Sequence, residues 1–175
     1  MSGPLRPSFA VRVRRDGERW AVDLLAEDAG DELPVLERAL GEPGENGWPG
    51  PYVIVVDSRL YFVVLTLGPG GLVRVLISDA TFQEWLLAAE VVERYGIALE
   101  DAGLGSSTSG TVDDAFDDDE TGWPGGDLDV FADAGLPGTE VAQVLAADDL
   151  WADEMVLRIA GRLGFAEQLE EVARA

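Results

Sequence analysis

The 175 residues carry 34 acidic side chains against 12 basic ones, a formal net charge of −22, and every basic residue is arginine. So large an acid excess opposes direct binding to a phosphate backbone or an anionic membrane, because both are held by neutralising their charge with Lys and Arg. With no histidine and no cysteine, Ser-His-Asp and Cys-His triads, zinc sites built from Cys or His, the zinc-bound water of nucleobase deaminases and any disulfide framework are excluded.

A hydrophobic fraction of 47% supports a folded core, and the length suits one domain of ordinary size with a small appendage. No apolar run approaches the ~20 residues of a membrane-spanning helix, and the first residues lack the apolar stretch of a signal peptide. The expectation is a soluble cytoplasmic protein. The remaining effect of the charge is to favour basic partners or simply to maintain solubility.

In chain order, Phe9, Val11 and Val13 alternate with polar or small residues, and Trp20, Val22 and Leu24 repeat the alternation after Asp16-Gly17. This period of two predicts a hairpin, with a type I′ turn at the Asp-Gly dipeptide. Arg12, Arg14, Arg15 and Arg19 gather on it. A solvated sheet face or a charge-blunted edge explains them first, a site for an acidic partner second. Asp31–Leu40 predicts a helix, with Leu33, Leu36 and Leu40 inward, Pro34 in the first turn and Gly41 as its stop. Residues 42–51 are a Gly- and Pro-rich loop in which Trp48 stands out, as cover for a sheet end before it is a ligand contact.

The central stretch, Tyr52–Phe82, holds three runs of β-branched and aromatic residues, Tyr52–Val56, Leu60–Leu67 and Leu72–Ile77. The turns Asp57-Ser58-Arg59 and Gly68-Pro69-Gly70-Gly71 are short enough to make them an antiparallel meander, too apolar to stay uncovered. Ser78-Asp79 offers a cap for a second helix, whose face is Phe82, Trp85, Leu86, Ala89 and Val92. The order β-β-α-β-β-β-α predicts an α+β fold with one antiparallel sheet, and it resembles the profilin, longin and roadblock scaffolds in element order alone.

Residues 7–98 therefore read as the sheet domain and 99–125 as a flexible acidic linker, with the run Val112–Glu120 too polar to offset its own ordering. Phe116 and Trp123 lie within it as potential transient anchors. Residues 126–175 return to helical periodicity: a short helix ending near Gly135, a second over Pro137–Leu145, a third over Trp151–Leu163 with Met155, Ile159 and Leu163 on its stripe, and a last turn or two over Phe165–Val172. A bundle that small is expected to dock on the sheet or on a partner.

No phosphate loop occurs, and Gly68–Gly71 joins two strands rather than opening a helix. Asp117, Asp119 and Gly122 match the start of an EF-hand loop, but position twelve is Leu128 where Glu is required. Asp57 and Asp79 have ordinary roles in a turn and a cap. No cofactor, metal or catalytic residue is assigned.

Three segments together, FAVRVRRDGERWAVDLL near the start, RVLISDA closing the meander, and GDLDVFADAGLPGTEVAQVLAADDLWADEMVLRIAGRLGFAEQLEEV at the end, resemble the actinobacterial tRNA adenosine deaminase-associated proteins. The resemblance spans most of the chain apart from the linker, and its motifs are structural. It implies a non-catalytic accessory or adaptor protein partnered by a tRNA adenosine deaminase, and no active-site residue carries over. Arg12, Arg14, Arg19, Trp48, Phe116, Trp123 and Trp151 are the candidate partner contacts. The alternative is a roadblock- or longin-like regulatory scaffold that dimerises or contacts a small GTPase; a carboxylate-only metal enzyme is a distant third.

Overall fold

The computed structural model describes residues 5–26, 32–41, 51–68, 71–79, 86–97, 124–147 and 149–174. Within these, β1 (Phe9–Asp16), β2 (Arg19–Leu24), α1 (Leu33–Leu40), β3 (Tyr52–Asp57), β4 (Tyr61–Leu67), β5 (Val73–Ile77) and α2 (Leu86–Arg94) follow the order read from the sequence. A two-residue β6 (Gly125–Gly126), a 3₁₀ helix (Leu128–Ala134), α3 (Gly138–Leu145), α4 (Ala152–Leu163) and α5 (Ala166–Ala173) complete the chain. The fold is α+β, built on one six-stranded antiparallel sheet in the order β2-β1-β3-β4-β5-β6. No helix among the described residues is long and apolar enough to cross a membrane.

Strand alternation sends side chains to both faces of the sheet, and both are covered. Phe9, Val11 and Val13 of β1 join Trp20, Val22, Tyr52, Ile54, Val56, Phe62, Val64 and Leu76 under the C-terminal helices, which contribute Phe131, Val144, Val156, Ile159, Phe165 and Leu169. On the opposite face Ala10, Val53, Val55, Tyr61, Val63, Leu65 and Val75 meet Leu33, Leu36 and Leu40 of α1 and Leu87, Ala88 and Val91 of α2. The central strands read as continuous apolar runs because they are buried twice. The C-terminal helices pack on the sheet, and Trp20 links the two directly, donating its indole N–H to Leu163 O at 3.0 Å.

Several local expectations shift. Asp16 pairs with Arg19, so the β1–β2 loop is Gly17-Glu18, with positive φ at Gly17 (66°) alone. That is a type II′ turn, not the type I′ expected from Asp16-Gly17, because the glycine occupies the first rather than the second turn position. The buried stripe of α4 is Ala152, Val156, Ile159 and Ala160, rotated from the expected one, so Met155 and Leu163 are only half-buried. Ser78 Oγ accepts the Phe62 N–H at 2.8 Å, a strand-end role, and residues 80–85, which include the expected helix face members Phe82 and Trp85, lie outside the described residues. So does nearly all of the acidic run and linker, although Gly125 at its end already pairs with Ile77.

Gly126 cannot be replaced: its φ is +90°, and a Cβ there would collide with the Val75 carbonyl. Beside it, Arg74 Nε binds Asp127 Oδ2 at 2.7 Å and its Nη2 donates to Asp129 O at 3.1 Å. These bonds fix the entry of the chain into the C-terminal helices. Tyr52, its ring tilted against Phe131 with centroids 4.9 Å apart, has a hydroxyl with no hydrogen-bond partner among the described residues. Burial first, and Asp133 second, push its pKa above the ordinary tyrosine value, with Arg74 opposing.

Candidate docking surface

The arginine-bearing hairpin resolves into two faces. Register places Arg12 opposite Asp23, Arg14 opposite Ala21 and Asp16 opposite Arg19, so Arg12, Arg14 and Arg19 share the face that α1 and α2 cover further along the sheet. Arg14 Nε lies 3.4 Å from Asp23 Oδ2, both exposed. Arg12 is half-buried, with its Nε hidden from solvent and without a hydrogen-bond partner among the described residues. Arg15 points the other way, its guanidinium 4.7 Å over the Trp20 ring. Trp48, Phe116 and Trp123 lie outside the described residues.

Trp151 is placed quite differently, at a corner that the sequence does not announce. The β3–β4 turn, closed by Leu60 N–H to Asp57 O at 2.9 Å, has Ser58 at φ 53° and Arg59 at φ 61°. Two successive positive φ values make a type I′ turn, and neither residue is the Gly or Asn that reaches that region readily. Such strain persists only where the surroundings over-determine it, and here two segments do, the N-terminal one and the start of α4. The N-terminal segment supplies Pro7 O to Arg59 N–H and Ser8 Oγ to Ser58 N–H, each at 2.8 Å. From the start of α4, Ala152 N–H donates to Arg59 O at 3.0 Å. Asp153 Oδ1 accepts from Arg59 Nε at 2.9 Å.

The ion pair is lopsided. Asp153 is 3% exposed, whereas the Arg59 side chain is 36% exposed. The carboxylate cannot exchange its partner for water, but the guanidinium can. The hydrogen bond to Asp153 raises the Arg59 pKa, outweighing what desolvation removes. The Trp151 ring lies over this guanidinium at 5.3 Å, a cation–π contact. Its backbone is fixed by the Glu154 carboxylate, which reaches back to Trp151 N–H at 2.8 Å. Trp151 is nevertheless 53% exposed, and Leu60, which follows Arg59 in the chain, is 38% exposed. An arginine, the indole over it and the leucine that follows the arginine are thus all partly exposed at this corner.

A separate groove lies elsewhere. It measures about 610 Å³ between α1 and α2 and is lined by Leu33, Pro34, Glu37, Arg38, Glu90 and Arg94 among others. Arg94 binds Glu37 twice, at 3.1 and 3.2 Å, Glu90 Oε2 accepts the Leu33 N–H at 3.3 Å, and Arg38 Nε donates to Pro34 O at 3.3 Å. The bonds to Glu37 raise the Arg94 pKa. The ion pair in this groove is thus Arg94–Glu37, and the bonds of Glu90 and Arg38 go to the α1 backbone. Among the described residues no group of three or more carboxylates is arranged to hold a metal ion.

Residues 8–166 match the family described as Rv3753c-like tRNA adenosine deaminase-associated protein. The chain belongs to this family. The match runs through the sheet and most of the C-terminal helices, including β3, β4 and the start of α4 that build the Trp151 corner. The chain is also 32% identical to Protein Rv3753c of Mycobacterium tuberculosis (strain ATCC 25618 / H37Rv) over 165 residues, 94% of this chain and 86% of that protein. No solved structure matches at a significant level. The family's description concerns association with a deaminase rather than deamination itself.

Proposed function

We propose that this chain is a non-catalytic accessory protein that docks on a tRNA adenosine deaminase through the corner formed by Trp151, Arg59 and Leu60. The family's description, deaminase-associated, supports that choice of partner, and a chain with no histidine or cysteine cannot build the Cys/His zinc site that nucleobase deamination uses. The observation that carries the surface is that Trp151 is half exposed yet held in place by its cap and by Arg59. Exposed tryptophan and arginine are the residues that most often dominate binding energy at interfaces. Fixing them before contact lowers the entropic cost of association. The net charge of −22 directs this contact to protein, since a tRNA backbone would be repelled.

The test is co-sedimentation of the two purified proteins, and separately of this chain with tRNA alone. The expected result is a complex with the deaminase and none with tRNA. Binding of tRNA without the deaminase, or no complex with the deaminase across low and moderate salt, contradicts the proposal.

A further inference from the structure

The outer edge of β2 is unpaired among the described residues, because β2 ends the strand order. In an antiparallel ladder alternate residues direct their backbone groups to the neighbour. Asp16 and Arg19 flank a two-residue loop, so Arg19, Ala21 and Asp23 turn theirs toward β1. Leu25 continues the series, donating its N–H to Ala10 O at 2.9 Å. The N–H and C=O groups of Trp20, Val22 and Leu24 consequently point outward. An edge with free donors and acceptors is a template for another strand.

The side chains choose which strand. Arg19 and Asp23, both exposed, stand symmetrically about the small Ala21. When a second β2 is laid antiparallel with Ala21 facing Ala21, Arg19 meets Asp23 of the second copy, and Asp23 meets its Arg19. Trp20 and Val22 then exchange the outward backbone bonds. A register centred on Val22 sets Asp23 against Ala21 and Arg19 against Leu25. One centred on Trp20 sets Asp23 against Gly17. Only the Ala21 register pairs both charges. Edge charges of one sign would repel a copy; this opposite-sign pair attracts it.

We infer that a second copy of this chain pairs antiparallel with β2 about a two-fold axis at Ala21, continuing the sheet across two molecules. The surface shares no residue with the Trp151 corner and stands independently of the deaminase reading. A strand of six residues gives a small interface between two acidic chains, so the association is weak and is best read by trapping, at about 0.15 M ionic strength where the net repulsion is screened.

The chain contains no cysteine, so Ala21→Cys introduces a single thiol. Facing non-hydrogen-bonded residues sit about 4.5 Å apart at Cα, within the roughly 4.4–6.8 Å that a disulfide spans. Under mild oxidation, Ala21→Cys is expected to form covalent dimer at least ~tenfold faster than Glu93→Cys on the exposed side of α2, because pairing raises the local thiol concentration. Adding Arg19→Glu sets two like-charged pairs face to face and should slow trapping about tenfold, while Arg19→Lys should leave it unchanged. A folded Ala21→Cys protein, by circular dichroism, that oxidises no faster than Glu93→Cys overturns the proposal. Should that variant fail to fold, sedimentation equilibrium of the native chain decides: mass rising with concentration supports pairing, and a monomer at every concentration overturns it.

Discussion

The two tight hairpins of the sheet solve one geometric problem in opposite ways. The β1–β2 loop uses Gly17 for its single positive φ, and a Cβ added there would touch nothing within 4 Å. The β3–β4 turn forces Ser58 and Arg59 into the left-handed region and holds them with bonds from Pro7, Ser8, Ala152 and Asp153. The first turn is locally encoded and needs no support. The second is stable only in the assembled protein, and what it yields is an arginine fixed beneath an exposed tryptophan. Under the proposed docking role, this local strain serves to present a surface.

Substitutions separate the two cases. The largest effect is expected for Arg59→Ala, which leaves the buried Asp153 carboxylate unpaired and frees the turn, and thermal unfolding should fall well below that of the native chain. Asp153→Ala should be milder, about 1–3 kcal/mol, because Arg59 can turn to water; at this chain length that is roughly 2–12 °C in Tm. The reverse order would mean that the carboxylate is not confined as the structure has it. Gly17→Ala should cost about 1–3 kcal/mol, because the first position of a type II′ turn takes a positive φ that an L side chain resists, measured by urea denaturation. Smallest is Ser58→Gly, which relieves strain while keeping the N–H bond to Ser8 and losing only the Oγ bond to Asp57. A gain of up to about 1 kcal/mol is expected, and a loss of that size would show that the serine side chain, not the clamp, sets the turn.

The same contrast explains what the sequence disclosed. The strands of both hairpins, the Pro34 start of α1, and the stops at Gly135 and Gly164 are written in neighbouring residues, so periodicity and punctuation were enough to place them. Turn type was harder, because Asp16-Gly17 and Gly17-Glu18 differ by one residue of register that only pairing with β2 fixes. The α4 stripe rotated because its inner face includes Asp153, a charged residue that an apolar pattern assigns to solvent. Its partner Arg59 lies 94 residues away. No local signal connects them, and Ser58-Arg59 carries none of the glycine or asparagine that marks a type I′ turn. Trp151 was conspicuous in sequence as a tryptophan opening a helix, yet its exposure and its seat on Arg59 follow from that long-range pairing.

The most direct measurement is isothermal titration of the purified tRNA adenosine deaminase with the native chain and with Trp151→Ala, whose own unfolding midpoint should stay close to native because Trp151 is half exposed and outside both cores. The account expects the native chain to bind and the variant to bind at least ~30-fold more weakly, as befits a dominant interface residue. Equal affinity from a folded Trp151→Ala protein would contradict it.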